Sequence, residues 1–256
     1  MNHQSVERFN ALHQGEKPLV LVNIWDAAGA ALLQKQGAQA LATSSASLAW
    51  SLGYADGGTL PVAELLAAVG RIMRVCRVPL SVDIEQGYND NPVEVAALAK
   101  QLAELGVAGI NLEDGSSSAE LLVEKIGAIR SALGPGLFIN ARTDVYLRNL
   151  AQGEAAVAET RRRLLAYQQA GADGGFIPGL DDEGVAARLA AAVSMPLNLM
   201  VSAEAKTISA LSACGICRFS MGPAPFLVAY GAVLGWAGFD EAFAALDYGQ
   251  VNALFD

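Results

Sequence analysis

Carboxylate side chains stand at the ends of two apolar segments of this sequence, where they could bind a metal ion. Asp83 and Glu85 alternate with Val82 and Ile84, and Glu113 ends a similar segment. Because successive side chains of a strand point to opposite faces, we expect Asp83 and Glu85 on one face. If the two segments are neighbouring strands about 4.8 Å apart, the three carboxylates need a cation to stay ionised together. Oxygen ligands without His or Cys favour Mg²⁺ or Mn²⁺ over zinc.

A third apolar segment ends in Arg142, which alternates with Asn140, and Asn111 alternates with Glu113 in the same way. The planar guanidinium of an arginine suits a substrate carboxylate or phosphonate. The same spacing also fits a purely structural set of ion pairs between Arg142 and the strand-end carboxylates. The residues by themselves leave both interpretations open.

Small hydroxyl and aromatic residues follow two earlier segments. Ser44 and Ser45 come directly after Thr43, and their hydroxyl and backbone N–H groups could hold an anion, although serines at such turns also cap helices. Trp25 and Asp26 follow the first segment. An N-cap role for Asp26 would explain that pair without any chemistry.

The composition excludes several classes of protein. Of 256 residues, 53% are hydrophobic and 17% charged, and the net charge is −9, which argues against a nucleic-acid binder and against a disordered chain. Both histidines, His3 and His13, precede the first predicted strand, so a His-based triad or a His-rich metal site in the core is excluded. Three cysteines are too few for a disulfide framework. The polar N-terminus lacks the apolar region of a signal peptide, so we expect a cytoplasmic protein.

The elements that must position these residues follow a regular alternation. Short apolar segments predict eight strands, at Leu19–Asn23, Ala38–Thr43, Pro79–Glu85, Val107–Glu113, Leu137–Arg142, Gly174–Pro178, Pro196–Val201 and Ile216–Met221. Between them, apolar residues at helical spacing predict helices that include Val62–Arg74, Pro92–Leu105, Ala119–Leu133 and Ala155–Ala170. Eight strand–helix units in about 250 residues are typical of a (β/α)8 TIM barrel, whose sites lie at the carboxyl ends of the strands.

An open doubly wound sheet is the alternative fold. A dinucleotide-binding sheet would carry G-x-G-x-x-G after an early strand, and none follows Leu19–Asn23. No low-complexity linker interrupts the chain, so we expect a single barrel domain over residues 1–256, with a C-terminal helical segment at 223–256. Within it, Phe219–Phe239 has 21 residues without a charge, close to the length of a membrane span. Its prolines and glycines favour a strand end followed by an apolar helix.

An ordered set of motifs resembles the isocitrate lyase/phosphoenolpyruvate mutase superfamily. The motifs are Asn23-Ile24-Trp25-Asp26-Ala27, Thr43-Ser44-Ser45, Ser51-Leu52-Gly53-Tyr54-Ala55-Asp56, Val82-Asp83-Ile84-Glu85-Gln86-Gly87-Tyr88, Leu112-Glu113-Asp114 and Ala141-Arg142-Thr143-Asp144. The resemblance continues more loosely through Phe176-Ile177-Pro178, Asn198 and Ser220-Met221-Gly222-Pro223. It covers nearly the whole chain.

The resemblance implies a Mg²⁺-dependent enzyme, or a Mn²⁺-dependent one, that acts on a 2-oxo acid. The catalytic residues would be Asp83, which would also be the main metal ligand, Glu113 and Arg142. The carboxylates that hold metal-bound waters would be Asp56, Glu85 and Glu113. The substrate-binding groups would be Ser44, Ser45, Trp25, Asp26, Asn198 and Arg142. A bound Mg²⁺ would stabilise the enolate left when a carbon–carbon bond beta to the ketone breaks.

Three departures from the family pattern bear on the reaction. The family usually has Asp at the position of Glu85, and it has Gly-Tyr-Gly where this chain has Gly87-Tyr88-Asn89. The loop Glu113-Asp114-Gly115-Ser116-Ser117-Ser118 lacks the Lys-Lys/Arg-Cys-Gly-His motif, whose Cys is the general acid of isocitrate and methylisocitrate lyases. The loop residues of the mutase and of phosphonopyruvate hydrolase are also absent.

Three hypotheses about function follow. The first is a lyase of the oxaloacetate decarboxylase kind, because an enolpyruvate can be held by the metal and protonated by solvent without a dedicated Cys. The second is chemistry at the P–C bond of phosphonopyruvate, as a mutase or a hydrolase. The third, motivated by the missing loop and by Glu85, is a non-catalytic protein that binds 2-oxo acids.

The resemblance also implies a homotetramer in which a helix after the eighth strand is exchanged between neighbouring subunits. The uncharged segment Pro223–Trp236 fits this role, because a lone barrel would expose much of it. We expect no nucleic-acid or membrane partner.

Overall fold

The computed structural model describes residues 3–201, 205–237 and 246–255. Within these residues, nine parallel strands form one sheet in the order β1-β9-β8-β7-β6-β5-β4-β3-β2. The strands are β1 (Leu19–Leu21), β2 (Asn23–Ile24), β3 (Leu41–Thr43), β4 (Leu80–Asp83), β5 (Gly109–Glu113), β6 (Phe138–Arg142), β7 (Gly174–Ile177), β8 (Leu197–Met200) and β9 (Arg218–Ser220).

The barrel closes because β1 and β2 are two halves of the first predicted strand. The first half pairs with β9 and the second half with β3, and Val22 separates them. One bent segment therefore joins the two ends of the sheet. The TIM-barrel prediction is confirmed, and the alternative of an open doubly wound sheet is wrong.

Helices surround the strands much as the apolar spacing predicts. They are α1 (His3–Leu12), α2 (Ala27–Lys35), α3 (Ser45–Ser51), α4 (Val62–Met73), α5 (Pro92–Glu104), α6 (Ala119–Leu133), α7 (Gly153–Ala170), α8 (Glu183–Ala190), α9 (Ala205–Ala213), α10 (Ala224–Trp236) and α11 (Tyr248–Asn252). Asn91 caps α5 by accepting from Val93 N–H at 3.0 Å, with proline at the first helical position. Gly171 ends α7 with φ +105°, as expected of a C-terminal glycine.

Alternation along the strands separates the core from the barrel interior. Val82, Ile110 and Ile139 belong to the main apolar core between sheet and helices. The register sets the intervening polar residues side by side, with Asp83 opposite Asn111, Asn111 opposite Asn140, and Glu113 opposite Arg142. Polar residues of three strands therefore share one end of the barrel.

The predicted third strand extends too far. It ends at Asp83 rather than at Glu85, because Glu85 has φ +50°, a left-handed conformation that a strand cannot continue. Glu85 therefore reaches the end of the barrel from a turn.

The apolar C-terminal stretch forms the end of β9 and then α10, as predicted. Phe226 of α10 is buried against Trp25 and Trp50 of the same chain. Val228 and Trp236 are 72% and 91% exposed. Residues 238–245 of the predicted C-terminal segment lie outside the described residues. None of the described helices combines the length and the hydropathy needed to cross a membrane.

Candidate active site

A cavity of about 460 Å³ opens at the carboxyl ends of the strands. Its polar lining comes from nearly every strand end and from the C-terminal helix α11, namely Asn23, Ser44, Ser45, Asp56, Asp83, Glu85, Asn111, Glu113, Arg142, Arg148, Ser220 and Tyr248. The predicted carboxylates, the two serines and Arg142 are therefore brought together. Cys, His and Lys are absent from the described residues that line it.

Asp83 is held through both of its carboxylate oxygens. Its Oδ1 accepts from the Glu85 N–H at 3.0 Å and its Oδ2 accepts from Asn111 Nδ2 at 3.1 Å. Burial raises the pKa of Asp83, while the Arg142 guanidinium and the Asn111 hydrogen bond oppose the rise. Both oxygens are thus fixed in direction at the base of the cavity.

Behind Asp83, a chain of amide side chains crosses the barrel interior. Asn140 Nδ2 donates to Asn111 Oδ1 at 2.9 Å and to Asn198 Oδ1 at 3.2 Å. Asn198 Nδ2 in turn donates to Ser220 Oγ at 3.2 Å. Asn198 is fully buried, so the structure places this predicted substrate-binding residue in the interior and not among the residues that line the cavity.

Arg218, at the start of β9, is a buried charge next to the candidate site that no motif in the sequence indicates. Its side chain is only 1% exposed, and its Nη2 donates to Asn111 Oδ1 at 3.1 Å and to Ser81 Oγ at 3.3 Å. Its Nε and Nη1 have no partner among the described residues. Because Arg218 and Asn140 both donate to Asn111 Oδ1, the Asn111 amide must turn its NH₂ group towards Asp83.

Glu85 and Asp56 lie on the neighbouring turns. Burial raises the pKa of Glu85 to about 7, and the Asp56 and Asp83 charges act in the same direction. Tyr248 donates from its hydroxyl to Asp56 Oδ2 at 2.8 Å, and Asn252 Oδ1 accepts from the Asp56 N–H at 2.7 Å. The Oδ1 atom of Asp56 is buried without a partner among the described residues.

Arg142 is engaged by two carboxylates at the rim. Its Nη1 forms an ion pair with Glu113 Oε2 at 2.6 Å. Its Nε and Nη2 donate to the two oxygens of Asp144 at 2.6 and 3.0 Å. Burial raises the pKa of Glu113 in spite of Arg142, and the Asp144 and Asp83 charges add to the rise. The ion pairs between Arg142 and neighbouring carboxylates, which were one of the two interpretations open from the sequence, are therefore present in the cavity wall.

The residues predicted around the first two strands take different positions. Ser44 and Ser45 line the cavity, and Ser44 Oγ also caps α3 by accepting from Ser47 N–H at 3.3 Å. Asp26 caps α2 by accepting from Gly29 N–H at 2.6 Å. Trp25 packs edge-on against Phe226, with ring centroids 5.1 Å apart. Neither Trp25 nor Asp26 is among the residues that line the cavity.

The loop between β5 and α6 is a tight turn. Ser117 N–H donates to Asp114 O at 2.8 Å, and Ser118 Oγ caps α6. Asp114 is buried and accepts from Tyr167 Oη at 2.6 Å and from Arg163 Nη1 at 2.8 Å. This loop therefore closes locally on the barrel and brings no acid or thiol to the cavity.

Together, the closed barrel and the cavity lined by carboxylates at its carboxyl end define a TIM-barrel protein with a candidate active site in the usual place for this fold. The sequence profile of the family described as phosphoenolpyruvate phosphomutase matches residues 9–238. The chain belongs to this family, within the isocitrate lyase/phosphoenolpyruvate mutase superfamily, as the resemblance of the motifs implies.

The relatives of this chain include enzymes with different activities and a protein without an assigned activity. The 2-methylisocitrate lyase of Escherichia coli is 31% identical over 76% of this chain and 69% of its own length. The oxaloacetate decarboxylase of Ectopseudomonas mendocina is 30% identical over 78% of this chain and 71% of its own. An uncharacterised protein of Mycobacterium tuberculosis is 37% identical over 85% of this chain and 83% of its own.

Solved structures share the fold. A Burkholderia cenocepacia protein, provisionally described as a phosphonomutase, superposes with a TM-score of 0.87 and 36% identity over 92% of this chain and 99% of its own. A phosphonopyruvate hydrolase in complex with oxalate and Mg²⁺ superposes with a TM-score of 0.78 and 21% identity, covering 93% of this chain and 89% of its own.

Proposed function

We propose that this protein is a divalent-metal-dependent lyase that cleaves a carbon–carbon bond of a small 2-oxo acid, in the manner of an oxaloacetate decarboxylase. The observation that carries the proposal is the composition of the cavity. Buried carboxylates face an arginine wall, and no Cys, His or Lys lines the described part of the cavity. Such a site suits a reaction in which charge is stabilised by a cation and no thiol is needed as the proton donor.

The acidic residues fit a Mg²⁺ or Mn²⁺ ion that keeps most of its water. No three Asp, Glu, His or Cys side chains in the described residues converge closely enough to bind one ion directly. Mg²⁺ is usually held by one or two carboxylates together with several waters. Asp83 would be the direct ligand, and Asp56, Glu85 and Glu113 would accept hydrogen bonds from those waters. The unpartnered Oδ1 of Asp56 is the atom that such a water would satisfy.

When bound, the ion supplies positive charge that stabilises an enolate on the 2-oxo group. Ser44 and Ser45 offer hydroxyl groups to the substrate carboxylate at the base of the cavity. Trp25 packs on Phe226, Asp26 caps α2 and Asn198 lies in the barrel interior, so none of the three is assigned a contact with the substrate. The Arg142 guanidinium faces the end of the substrate that leaves.

Proton delivery needs no dedicated acid in this reaction. The cavity is open to solvent. Water can therefore protonate the enolate after carbon dioxide leaves.

A second candidate is cleavage or transfer at the P–C bond of phosphonopyruvate. It is favoured by the family description and by the 36% identity to the Burkholderia phosphonomutase-like structure. The same cation and Arg142 could hold a phosphonate, because a guanidinium binds both anions.

A substrate panel separates these functions. The purified protein is given oxaloacetate or phosphonopyruvate with MgCl₂, and pyruvate, phosphate and phosphoenolpyruvate are measured. We expect pyruvate from oxaloacetate above the rate of free Mg²⁺, and loss of that excess in EDTA. Excess activity that survives EDTA would contradict the proposal. Products from phosphonopyruvate alone would support the second candidate, and Mg²⁺-dependent oxalate binding without any product would support a non-catalytic binding protein.

The exposed side of α10 supports assembly into a tetramer with exchanged C-terminal helices. Val228, Val233 and Trp236 are 72%, 57% and 91% exposed, and an apolar patch of this kind marks an interface. Light scattering at micromolar concentration is expected to give four times the mass of the chain. A monomeric mass would overturn this part of the proposal.

A further inference from the structure

The residues that line the cavity include two arginines, Arg142 and Arg148. They differ in how much of each guanidinium is already engaged. Arg142 uses Nε and Nη2 on Asp144 and Nη1 on Glu113. A guanidinium has five N–H groups, so most of the Arg142 fork is occupied before any substrate arrives.

Arg148 uses only one edge of its guanidinium. Its Nε donates to Asp144 Oδ2 at 3.0 Å, and neither of its Nη atoms has a partner within the described part of the chain. The side chain is 48% exposed and lines the cavity. Arg148 therefore presents a free pair of donors at the mouth of the cavity.

The backbone that carries Arg148 is fixed. The Arg148 N–H donates to Asp144 O at 2.9 Å, and the Asp144 N–H donates to Asp114 Oδ1 at 2.9 Å. On the other side the turn packs against Gly179, where an added Cβ would lie 3.0 Å from Leu147 N. A residue on such a turn is held ready to bind, and does not need to be ordered first.

An exposed arginine four residues from its partner is ordinarily a weak surface ion pair. Here the partner is the completely buried Asp144, which also holds Arg142. One carboxylate thus fixes both guanidiniums, and Glu113 is a second partner of Arg142 alone. Arg148 is therefore the guanidinium that keeps unengaged N–H groups for a substrate anion.

We infer that Arg148 determines substrate specificity by binding an anionic group at the end of the substrate remote from the 2-oxo acid. The substrate class is then a 2-oxo acid with a second carboxylate rather than a simple 2-oxo monocarboxylate. This inference rests on the proposed function, because it needs the 2-oxo end to lie at Asp83.

Calorimetry with three ligands in MgCl₂ tests the inference. The affinity for oxalate measures binding of the 2-oxo acid end alone. The pair 2-oxoglutarate and 2-oxopentanoate has the same chain length and differs in the distal carboxylate. We expect the wild-type protein to bind 2-oxoglutarate about 10- to 100-fold more tightly than 2-oxopentanoate, the range for a hydrogen bond between charged groups.

Variants assign that preference to Arg148. In Arg148→Gln the preference should disappear with oxalate binding unchanged, and Arg148→Lys should restore part of it, because lysine keeps the charge and loses the fork. The matched control is Arg188→Gln, which removes an arginine of α8 that is 53% exposed and paired with Glu154 of α7, neither of which lines the cavity. It should leave all three affinities unchanged.

The outcomes distinguish the two claims. If the wild-type protein binds oxalate but does not prefer 2-oxoglutarate, or if Arg148→Gln keeps the preference, the inference about Arg148 is wrong and the proposed function stands. If the wild-type protein binds none of the three ligands, the proposed function fails and the inference fails with it.

Discussion

The two ends of the barrel place buried ionisable groups in different surroundings. At the amino end, α1 covers the strands with Phe9 and is followed by His13, whose ring stacks on Phe138 with centroids 4.4 Å apart. Burial lowers the pKa of His13 to about 3, and the Arg218 charge acts in the same direction. At the carboxyl end, burial likewise favours the neutral form and raises the pKa of Glu85 and Glu113, but these groups lie beside an open cavity.

This difference in surroundings distinguishes residues that stabilise the barrel from residues that could bind a cation or a substrate. His13 is held neutral and packed between aromatic rings, and its Nδ1 lies 2.8 Å from the Phe9 carbonyl oxygen. The carboxylates at the other end repel one another and remain accessible to a cation. Arg218 connects the two ends, since it lies over the Phe9 ring at 5.6 Å and contacts Asn111, which orients Asp83.

The largest effect is expected from removing the charge of Asp83. Asp83→Asn should lower kcat/KM for the substrate by about a thousandfold, the scale for losing a principal electrostatic stabiliser. The fold should survive, as judged by circular dichroism. Glu104→Gln, on an exposed pair of α5, is the control and should change neither property. A variant with more than a tenth of the wild-type kcat/KM would contradict the role of Asp83.

At the opposite end, a large effect on stability is expected without an effect on chemistry. Phe9 is completely buried and packs edge-on against Phe138, so Phe9→Ala should lower the free energy of unfolding by about 3–5 kcal/mol. The activity of the folded fraction should change less than about threefold. Denaturant unfolding and active-site titration provide the two numbers. A loss of kcat comparable with that of Asp83→Asn would mean that the ends are not separable.

Arg218→Met tests the connection between the ends. Replacing a buried charge with an apolar side chain is often neutral or stabilising, so the free energy of unfolding should fall by less than about 1 kcal/mol. The Asn111 amide loses one of its orienting donors, and the apparent affinity for Mg²⁺ should weaken about 10- to 100-fold, as for other groups that orient metal ligands. Unchanged Mg²⁺ affinity would show that the hydrogen bond from Asn140 is enough to orient the Asn111 amide.

The smallest effect concerns pH. The pKa of Glu85 is about 7 in the folded protein and lies above its ordinary value of 4.5. The folded state therefore keeps a proton that the unfolded chain has lost, and the stability of the metal-free protein should fall as the pH rises from about 4.5 to 7. Thermal unfolding across this range should show a decreasing midpoint. Added Mg²⁺ should reduce the decrease, because it binds the ionised carboxylates. In Glu85→Gln the decrease should be smaller, and an unaltered slope would assign it to other groups.

Much of the fold could be predicted because buried parallel strands are short apolar segments that differ clearly from helical spacing. The register then follows, and with it the grouping of Asp83, Glu113 and Arg142. Glu85 shows the limit of the pattern. It alternates correctly with Asp83, yet it reaches the cavity from a left-handed turn that no periodicity indicates.

The parts that the sequence could not predict depend on contacts between distant residues. Tyr248 and Asn252 meet Asp56 across almost 200 positions, and no local motif marks them. Arg218 is a single charge at the start of an apolar strand, and only the closed barrel shows that it lies inside. Arg148 looks like an ordinary surface arginine until Asp144 is seen to be buried beneath it.

Electron paramagnetic resonance of bound Mn²⁺ is the sharpest test of the proposed metal site, because Mn²⁺ takes the same oxygen ligands as Mg²⁺. We expect a single saturable Mn²⁺ site in the wild-type protein, with a spectrum that changes when oxalate is added and a site that is lost in Asp83→Asn. Absence of a saturable site, or equal Mn²⁺ affinity in Asp83→Asn, would contradict the proposed metal site.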